Sequence, residues 1–546
     1  MHGPLSRYSA LQAVLLLAFV VTGLGFLANT WWFVASAVLV PLGLLGLHDL
    51  SQKSHAILRN YPVIGHIRFL LESIRPELRQ YLIEDERDPV PFSRENRALV
   101  YRRAKNVLDK QAFGTVEDVN APGYGWISHS IRPTEIKDHD FRTRIGGPDC
   151  AEPYEASILN ISGTSFGAVS ANAIMAFNLG ARIGGFAHNT GEGSISAYHR
   201  RHGGDIIWQI ATGYFGCRTP EGRFDPDQFA VQAADPQVKM IEIKLSQGAK
   251  PGHGGVLPQA KISEEIARTR GISADRDCVS PAAHSAFTTP LEMMSFVAQL
   301  RRLSGGKPVG IKMALGHRVE VMAMVKAMLE TRITPDFIVI DGGEGGTGAA
   351  PLELANHVGA PLNEGLSFMH NTLAGAGLRS AIKLGASGKI ITAYDMCRTL
   401  ALGADFLMSA RGFMLSVGCI QARSCHSNTC PSGVATQDES RQRALVVEDK
   451  APRVANFHRN TLKALAEVIG AAGLSHPSEL KPWHLQMRHA SGAVVRGDEA
   501  YPQVPDGALL SGLANPELVR DWRRAQAHDF APADPVVRQR VTQLAV

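Results

Sequence analysis

Cysteine is scarce in this chain of 546 residues: there are seven, and none precedes Cys150. An odd, scattered set of that size excludes the disulfide framework of a small secreted protein and fits a reducing compartment, where thiolates stay free for metal. No Cys-x-x-Cys pair occurs, so the knuckles of most zinc sites are absent. Charge of either sign is missing from Ala10 to Leu47. Strong net charge is missing too. A balance of +5 in a chain this long gives no argument for a nucleic-acid partner. Much of that excess lies near Arg520, Arg523, Arg524, Arg538 and Arg540, which read as solvated surface.

The uncharged stretch divides at Asn29-Thr30 into two apolar runs, Ala10–Ala28 and Trp31–Leu47. At ~1.5 Å per residue each run reaches roughly 25–28 Å, against a bilayer core of about 30 Å. Trp31 and Trp32 stand at the turn, where interfacial aromatics are favoured, and Pro41 is tolerated in a membrane helix. Arg7 precedes the pair, and Lys53, Arg59 and Arg68 follow it. The excess of cations predicts a two-helix membrane hairpin with both ends in the cytoplasm and its tip outside, in the inner membrane. A cleaved signal peptide leaves the second run unexplained. A buried hairpin in a soluble fold is the other reading.

Four segments follow: a hairpin over 1–50, a helical extension over 51–150, an α/β domain over 151–475 and a C-terminal extension over 476–546. Ile64, Ile67, Leu70, Leu71, Ile74 and Leu78 recur at helical spacing. They predict an amphipathic helix that packs on the main domain or lies on a membrane surface. From Ala151 short apolar runs alternate with helical stretches, the pattern of repeated βα units. The predicted strands are Ser157–Ile161, Arg182–Ala187, Ile206–Ala211, Met240–Leu245, Val309–Ala314, Phe337–Asp341, Ile382–Gly385 and Phe406–Ser409. Eight parallel strands with intervening helices give a (β/α)8 TIM barrel, whose reactive groups stand at the C-terminal ends of the strands.

The loops there have the required composition. Asp341-Gly-Gly-Glu-Gly-Gly-Thr-Gly-Ala349 places Gly343, Gly345, Gly346, Thr347 and Gly348 where backbone approaches a flat ligand without side-chain collision. Ser387, Gly388 and Lys389 follow the seventh strand, and Ser409, Ala410 and Arg411 end the eighth. These two loops are the usual phosphate site of the fold. In this order they point to flavin mononucleotide (FMN). Lys312, at the end of the fifth strand, suits negative charge on a reduced flavin. Lys244, Gln247 and Lys250 suit a dicarboxylate. Glu192 offers a carboxylate to position ammonia. Eight residues beyond Arg411 comes Cys419, followed by Cys425, Cys430 and Pro431. Three thiolates in twelve residues read as the cradle of an iron–sulfur cluster with three protein-ligated irons.

From Ile158 to Leu474 the chain resembles the FMN-binding synthase domain of glutamate synthases. The resemblance runs through Ser162-Gly-Thr-Ser-Phe-Gly167, Asn189-Thr-Gly-Glu-Gly193, Met240-Ile-Glu-Ile-Lys244, Gln247-Gly-Ala-Lys-Pro-Gly252, Gly345-Gly-Thr-Gly-Ala349, Gly377-Leu-Arg379 and the cysteine triplet. It implies FMN held in part by Ser162, Gly163, Thr164 and Ser165, and a 3Fe–4S cluster on Cys419, Cys425 and Cys430. It also implies reductive amination of 2-oxoglutarate by ammonia to glutamate. Large glutamate synthases begin with a catalytic cysteine for glutamine hydrolysis. With no cysteine before Cys150, ammonia from glutamine is not expected here. No nicotinamide site is read, so a separate electron-donor protein is expected. The family's Pro-Gly-Glu-Gly-Gly-Gln is here Pro251-Gly-His-Gly-Gly-Val256, and its double histidine is Ala283-His284. These departures fall where substrate is expected. Two alternatives therefore stay open: an amine in place of ammonia, giving an N-alkylglutamate-type product, and a non-catalytic membrane-attached electron-transfer module.

Overall fold

The computed structural model describes residues 7–85, 88 and 91–530. Arg538 and Arg540 lie outside the described residues. Two compact units form, Met1–Asp88 and Pro89–Val546.

In the first unit, helices α1 (Ser9–Leu27) and α2 (Trp32–Ser51) pack against each other. Both are long and apolar enough to cross a membrane, with mean hydropathies of 2.3 and 1.8. Their packing is inverted relative to a water-soluble hairpin. Small groups meet inside: Thr22 Oγ1 and Ser36 Oγ lie 3.0 Å apart, and a Cβ on Gly46 would meet Leu11. Phe19, Phe26, Leu27 and Val34 point outward and are exposed. Close approach of small residues is how helices associate without a hydrophobic driving force. The predicted amphipathic helix is α3 (Gly65–Leu78), and its apolar side chains Ile64, Ile67, Leu70, Leu71 and Ile74 are exposed.

The second unit is a closed parallel barrel, as the alternation predicted. Its strands are β1 (Leu159–Ile161), β2 (His188–Asn189), β3 (Ile206–Ile210), β4 (Val238–Lys244), β5 (Val309–Met313), β6 (Phe337–Asp341), β7 (Lys383–Ser387) and β8 (Phe406–Ser409). Two predicted strands need correction. Arg182–Ala187 is not a strand: helix α4 (Ala171–Gly184) runs through its first half, capped by Ser170, and the chain turns at Gly185 before the two-residue β2. Ile174, Phe177 and Ala181 form a helical stripe there, which outweighs the β-branched Ile183. Ser157–Ile161 is split. Tyr154–Ser157 pairs antiparallel with Arg142–Ile145, and only Leu159–Ile161 joins the barrel.

That antiparallel hairpin closes the N-terminal end of the barrel. Ile145 and Ala156 join Ile207, Met240, Phe337, Val339, Phe406 and Met408 in one apolar cluster. Gly147 N–H donates to Asp336 Oδ1 at 2.6 Å, just before β6 begins. Outside the barrel, helix α5 (Val447–Ala471) buries Val454, Phe457, Leu462 and Leu465 and packs along α4. The segment after residue 476 is not featureless: Leu485–Arg488 pairs with Gly125–Ile127 on one edge and with Val494–Arg496 on the other. Side chains alternate along each strand. The inward set therefore passes from apolar residues at the closed end to Ser162, Gln209, Glu242, Lys244, Lys312, Asp341 and Ser387 at the open end.

Candidate active site at the barrel mouth

The open end gathers most of the predicted residues. Lys312, buried on β5, lies 3.4 Å from Ser162 Oγ and 3.9 Å from Asp341 Oδ2. Asp341 Oδ2 also accepts from Gly248 N–H at 2.8 Å. Only glycine fits at 248, because a Cβ there would stand 1.7 Å from the Gly342 carbonyl oxygen. The loop after β4 is thus pressed onto the glycine-rich loop after β6. Thr164 Oγ1 meets His188 Nε2 at 2.7 Å, and Thr164 N–H donates to the Asn189 carbonyl. Burial holds His188 well below the ordinary histidine value, with His199 adding to the effect. It is neutral.

The loops after β6, β7 and β8 converge. Gly343 N–H donates to the Ala360 carbonyl at 2.8 Å, and Gly345 N–H to the Gly342 carbonyl. Arg411 donates to the Glu344 carbonyl at 2.8 Å and stacks over Phe92, 4.9 Å from its centroid. A Cβ at Gly346 would touch Arg411, while Gly348 faces open space. Lys389 adopts a left-handed backbone, φ 52°, directly after Gly388. Burial and the adjacent Arg411 push the Lys389 ammonium below its ordinary value, with Glu344 opposing. A lysine lowered by a neighbouring arginine fits a site for a phosphate. Ser387 is the last residue of β7 and not a loop residue; Ser409 Oγ donates to the Ile390 carbonyl at 2.7 Å. Ala410 precedes the turn that carries Arg411.

A second cluster stands beside this one. Lys244 Nζ lies 2.9 Å from Glu192 Oε2 and 2.9 Å from Gln247 Oε1. Burial raises the Glu192 carboxyl, but Lys244 outweighs it, with Arg270 and Lys250 assisting, so the net shift is downward. Burial lowers Lys250, Glu192 opposes, and its ammonium makes no hydrogen bond among the described residues. Gly255 lies against the Glu192 carboxylate, where a Cβ would stand 1.9 Å from Oε1. His253 Nδ1 contacts the Gly254 carbonyl. His284 is built in: Nε2 donates to the Lys244 carbonyl at 2.9 Å, so Nδ1 accepts from Tyr214 at 3.0 Å. Burial lowers it to about 4, so it stays neutral at neutral pH.

Sequence reasoning missed a buried triad beneath these groups. Glu242 Oε1 accepts from Asn189 at 2.8 Å and from Gln209 at 2.6 Å, while Oε2 has no partner although the residue is fully buried. The signal available was a carboxylate inside an otherwise apolar strand, Met-Ile-Glu-Ile-Lys. An unpaired carboxylate oxygen this deeply buried is rare in a folded protein.

The cysteine triplet lies on the loop after β8. Gln421 N–H approaches Cys419 Sγ at 3.5 Å, and Ser432 Oγ lies 3.5 Å from Cys430 Sγ. Burial pushes Cys419 up to about 12 and raises Cys425, and in both the neighbouring cysteines add to the rise. For Cys430 the upward push of burial is overcome by the Ser432 hydroxyl and the backbone N–H groups of Ala435, Ser432 and Val434. The thiols therefore stand within electrostatic reach of one another, and amides serve the sulfurs. Among the described residues no three His, Cys, Asp or Glu side chains are arranged to hold a single metal ion. A cluster differs, because each sulfur binds a different iron. Tyr101 donates to the Cys419 carbonyl at 2.7 Å, and Lys261 to the Cys425 carbonyl at 3.2 Å and the Ala168 carbonyl at 2.6 Å. Lys261 thereby ties the cysteine loop to the loop after β1.

Residues 149–475 match the conserved region in glutamate synthase. The glutamate synthase large subunit-like protein YerD of Bacillus subtilis is 38% identical over 515 residues, covering 86% of this chain and 98% of that protein. The archaeal glutamate synthase [NADPH] of Methanocaldococcus jannaschii is 34% identical over 359 residues, 66% of either chain. The archaeal-type glutamate synthase [NADPH] of Thermotoga maritima is 33% identical over 318 residues, so the match spans only 59% of that relative. Among solved structures, a flavocytochrome b2 with sulfite bound aligns at a TM-score of 0.42 and 12% identity, over 82% of this chain and 91% of its own. By the match over the whole barrel and by its likeness to YerD, the chain belongs to the glutamate synthase family.

Proposed function

We propose that the protein binds FMN at the barrel mouth and a 3Fe–4S cluster on Cys419, Cys425 and Cys430. In this reading it converts 2-oxoglutarate and ammonia into glutamate. The overall reaction consumes two electrons and two protons and releases one water; the electrons come from a separate donor. The observation that carries the reading is the pairing of two cation sites. Lys389 stands near enough to Arg411 to be lowered by it, and Lys244, 2.9 Å from Glu192, and Lys250 both act on the Glu192 carboxylate.

The residues fit both prosthetic groups. Gly348 faces open space, the glycines at 343, 345 and 346 let the loop pack closely on its neighbours, and Lys389 with Arg411 would answer a phosphate. Lys312, seated between Ser162 and Asp341, would hold charge at the flavin pyrimidine. Bound FMN supplies hydride transfer to the imine carbon of the substrate. Lys250 and Lys244 would hold the two carboxylates, bringing two positive charges to a dianion, with Gln247 orienting Lys244. Glu192, kept ionised, is an acceptor only; it would position the ammonia N–H groups and not donate a proton. The hairpin over α1 and α2 would anchor the enzyme in the inner membrane with the barrel on the cytoplasmic side, the side that a cation excess after α2 favours.

The test is anaerobic turnover. Chemically reduced protein, mixed with 2-oxoglutarate and isotope-labelled ammonia, is expected to regain oxidised-flavin absorbance and to yield labelled glutamate. Alkylamines in the same assay decide the nitrogen donor, because His253 and Val256 stand where the family has a glutamate and a glutamine. Flavin that stays reduced with every oxo acid and amine offered would overturn the reading.

A further inference from the structure

The turn that connects the apolar hairpin to α3 is unusually constrained. Asp49, on the last turn of α2, is buried. Its Oδ2 accepts from Val63 N–H at 3.0 Å, and both of its oxygens lie 3.0 Å from His66 Nε2. Val63 has a φ of 66°, a left-handed backbone that β-branched residues avoid. The Val63 side chain packs where a Cβ on Gly46 would fall, 2.7 Å away, beside Leu11 of α1. A strained residue persists only where its surroundings over-determine it. Here the over-determining contacts all join the start of α3 to the end of α1 and α2 that carries Asp49. The axis of α3 is therefore set by the hairpin.

The face that this clamp presents is apolar and uncovered. At about 100° per residue, Ile64, Ile67, Leu70, Leu71, Ile74 and Leu78 share an arc of roughly 120°. Ile67, Leu70 and Leu71 are more than half exposed. Arg68, Arg75 and Arg79 fall together along one border of that arc, and all three are exposed. Arg75 makes only a weak pair with Glu72, at 3.5 Å between two exposed side chains. Between Gln52 and Arg79 there are five lysines and arginines against two glutamates. A narrow apolar stripe with an arginine edge suits the boundary between acyl chains and headgroups, where long cationic side chains reach outward. An ordinary protein partner would not need the arginines aligned. A bilayer surface does, and the clamp to a membrane-long hairpin places the stripe at that depth.

We infer that α3 lies in the cytoplasmic membrane interface, held there by the Asp49 clamp, with its apolar stripe in the acyl boundary and Arg68, Arg75 and Arg79 on anionic lipid headgroups. This rests on the reading of α1 and α2 as a membrane hairpin. Its consequence is that the first unit meets the bilayer through a surface helix as well as through the hairpin.

The full-length holoprotein is tested in vesicles of phosphatidylcholine with and without phosphatidylglycerol. An environment-sensitive fluorescent side chain is introduced in place of Leu71, of Glu72 or of Val38, one at a time. The lipids carry a quencher either near the headgroup or deep in the acyl chain. The probe at Leu71 is expected to be quenched several-fold more than that at Glu72, most by the shallow quencher, while the probe at Val38 responds to the deep one. Replacing Arg68, Arg75 and Arg79 together with glutamine is expected to abolish the extra quenching that phosphatidylglycerol brings. A probe at Leu71 that lipid does not reach, while Val38 is reached, overturns the inference and leaves the hairpin standing. A blue-shifted but unquenched Leu71 probe means a protein surface covers the stripe, which also overturns it. If Val38 too escapes quenching, the hairpin reading fails first.

Discussion

Lys244 and Glu192, 52 residues apart in the chain, meet at 2.9 Å at the barrel mouth. One closes β4, and the other follows β2. Their contact joins the strand that carries the buried Glu242 to the loop that borders Gly255. It also determines how the site responds to acid.

The Glu192 carboxyl is held below its ordinary value of 4.5, because Lys244 outweighs the cost of burial. A depressed folded value means the pairing contributes fully above the ordinary value and is lost as pH falls through the folded one. Glu192→Gln is expected to cost roughly 1.5–3 kcal/mol at neutral pH, the range for a charge-assisted hydrogen bond. The penalty should shrink below pH 4.5 and disappear in stronger acid. Thermal melts of both proteins across that range would show converging Tm values; parallel curves would contradict the pairing.

Removing Arg411 tests the phosphate site. Arg411→Ala loses the hydrogen bond to the Glu344 carbonyl and the stack on Phe92. With a charged phosphate contact at about 1.5–3 kcal/mol, FMN should bind roughly 10- to 100-fold more weakly. Fluorescence titration of the apoprotein measures this directly. An unchanged dissociation constant would move the phosphate elsewhere.

Lys312→Met probes the other end of the ring. In the proposed function the ammonium near Ser162 and Asp341 would favour a negatively charged reduced flavin. Without it, the flavin midpoint potential should fall, as read by spectroelectrochemical titration. A rise, or no change, would assign Lys312 to Asp341 alone.

Cys425→Ser is expected to lower bound iron and to block reduction by an external donor, while FMN is retained. Elemental analysis and visible absorption decide between the outcomes. Full iron content in that variant would end the cluster assignment.

Gly248→Ala forces a Cβ to within 1.7 Å of the Gly342 oxygen, so one of the two loops has to move. Overpacking against backbone should cost about 1–3 kcal/mol and loosen the Gly248–Asp341 hydrogen bond. The expected signature is a lower Tm together with weaker flavin retention. A variant with native Tm and full flavin would show that the contact is slack.

Six of the eight barrel strands were legible because apolar runs ending in small residues repeat along the chain. The second was not. A strand of two residues, His188–Asn189, is shorter than any alternation it could show, and the helix before it carries the stronger pattern. The first began two residues early, because Ser157 and Ile158 read on into the apolar run although Ser157 ends a strand of a different sheet. The cation loops and the cysteine triplet were visible as local strings. Glu242, Gln209 and Asn189 were not visible as a triad, since three strands contribute one residue each.

Composition and spacing alone determined the two apolar runs, the βα alternation and the clustering of three thiols, because each is a property of neighbouring residues. Tertiary structure alone decided that Lys244 faces Glu192, that Gly248 must be glycine, and that Asp49 fastens α3 to the hairpin. Those are distances between residues far apart in the chain. They exist only once strand register and helix packing bring the segments together.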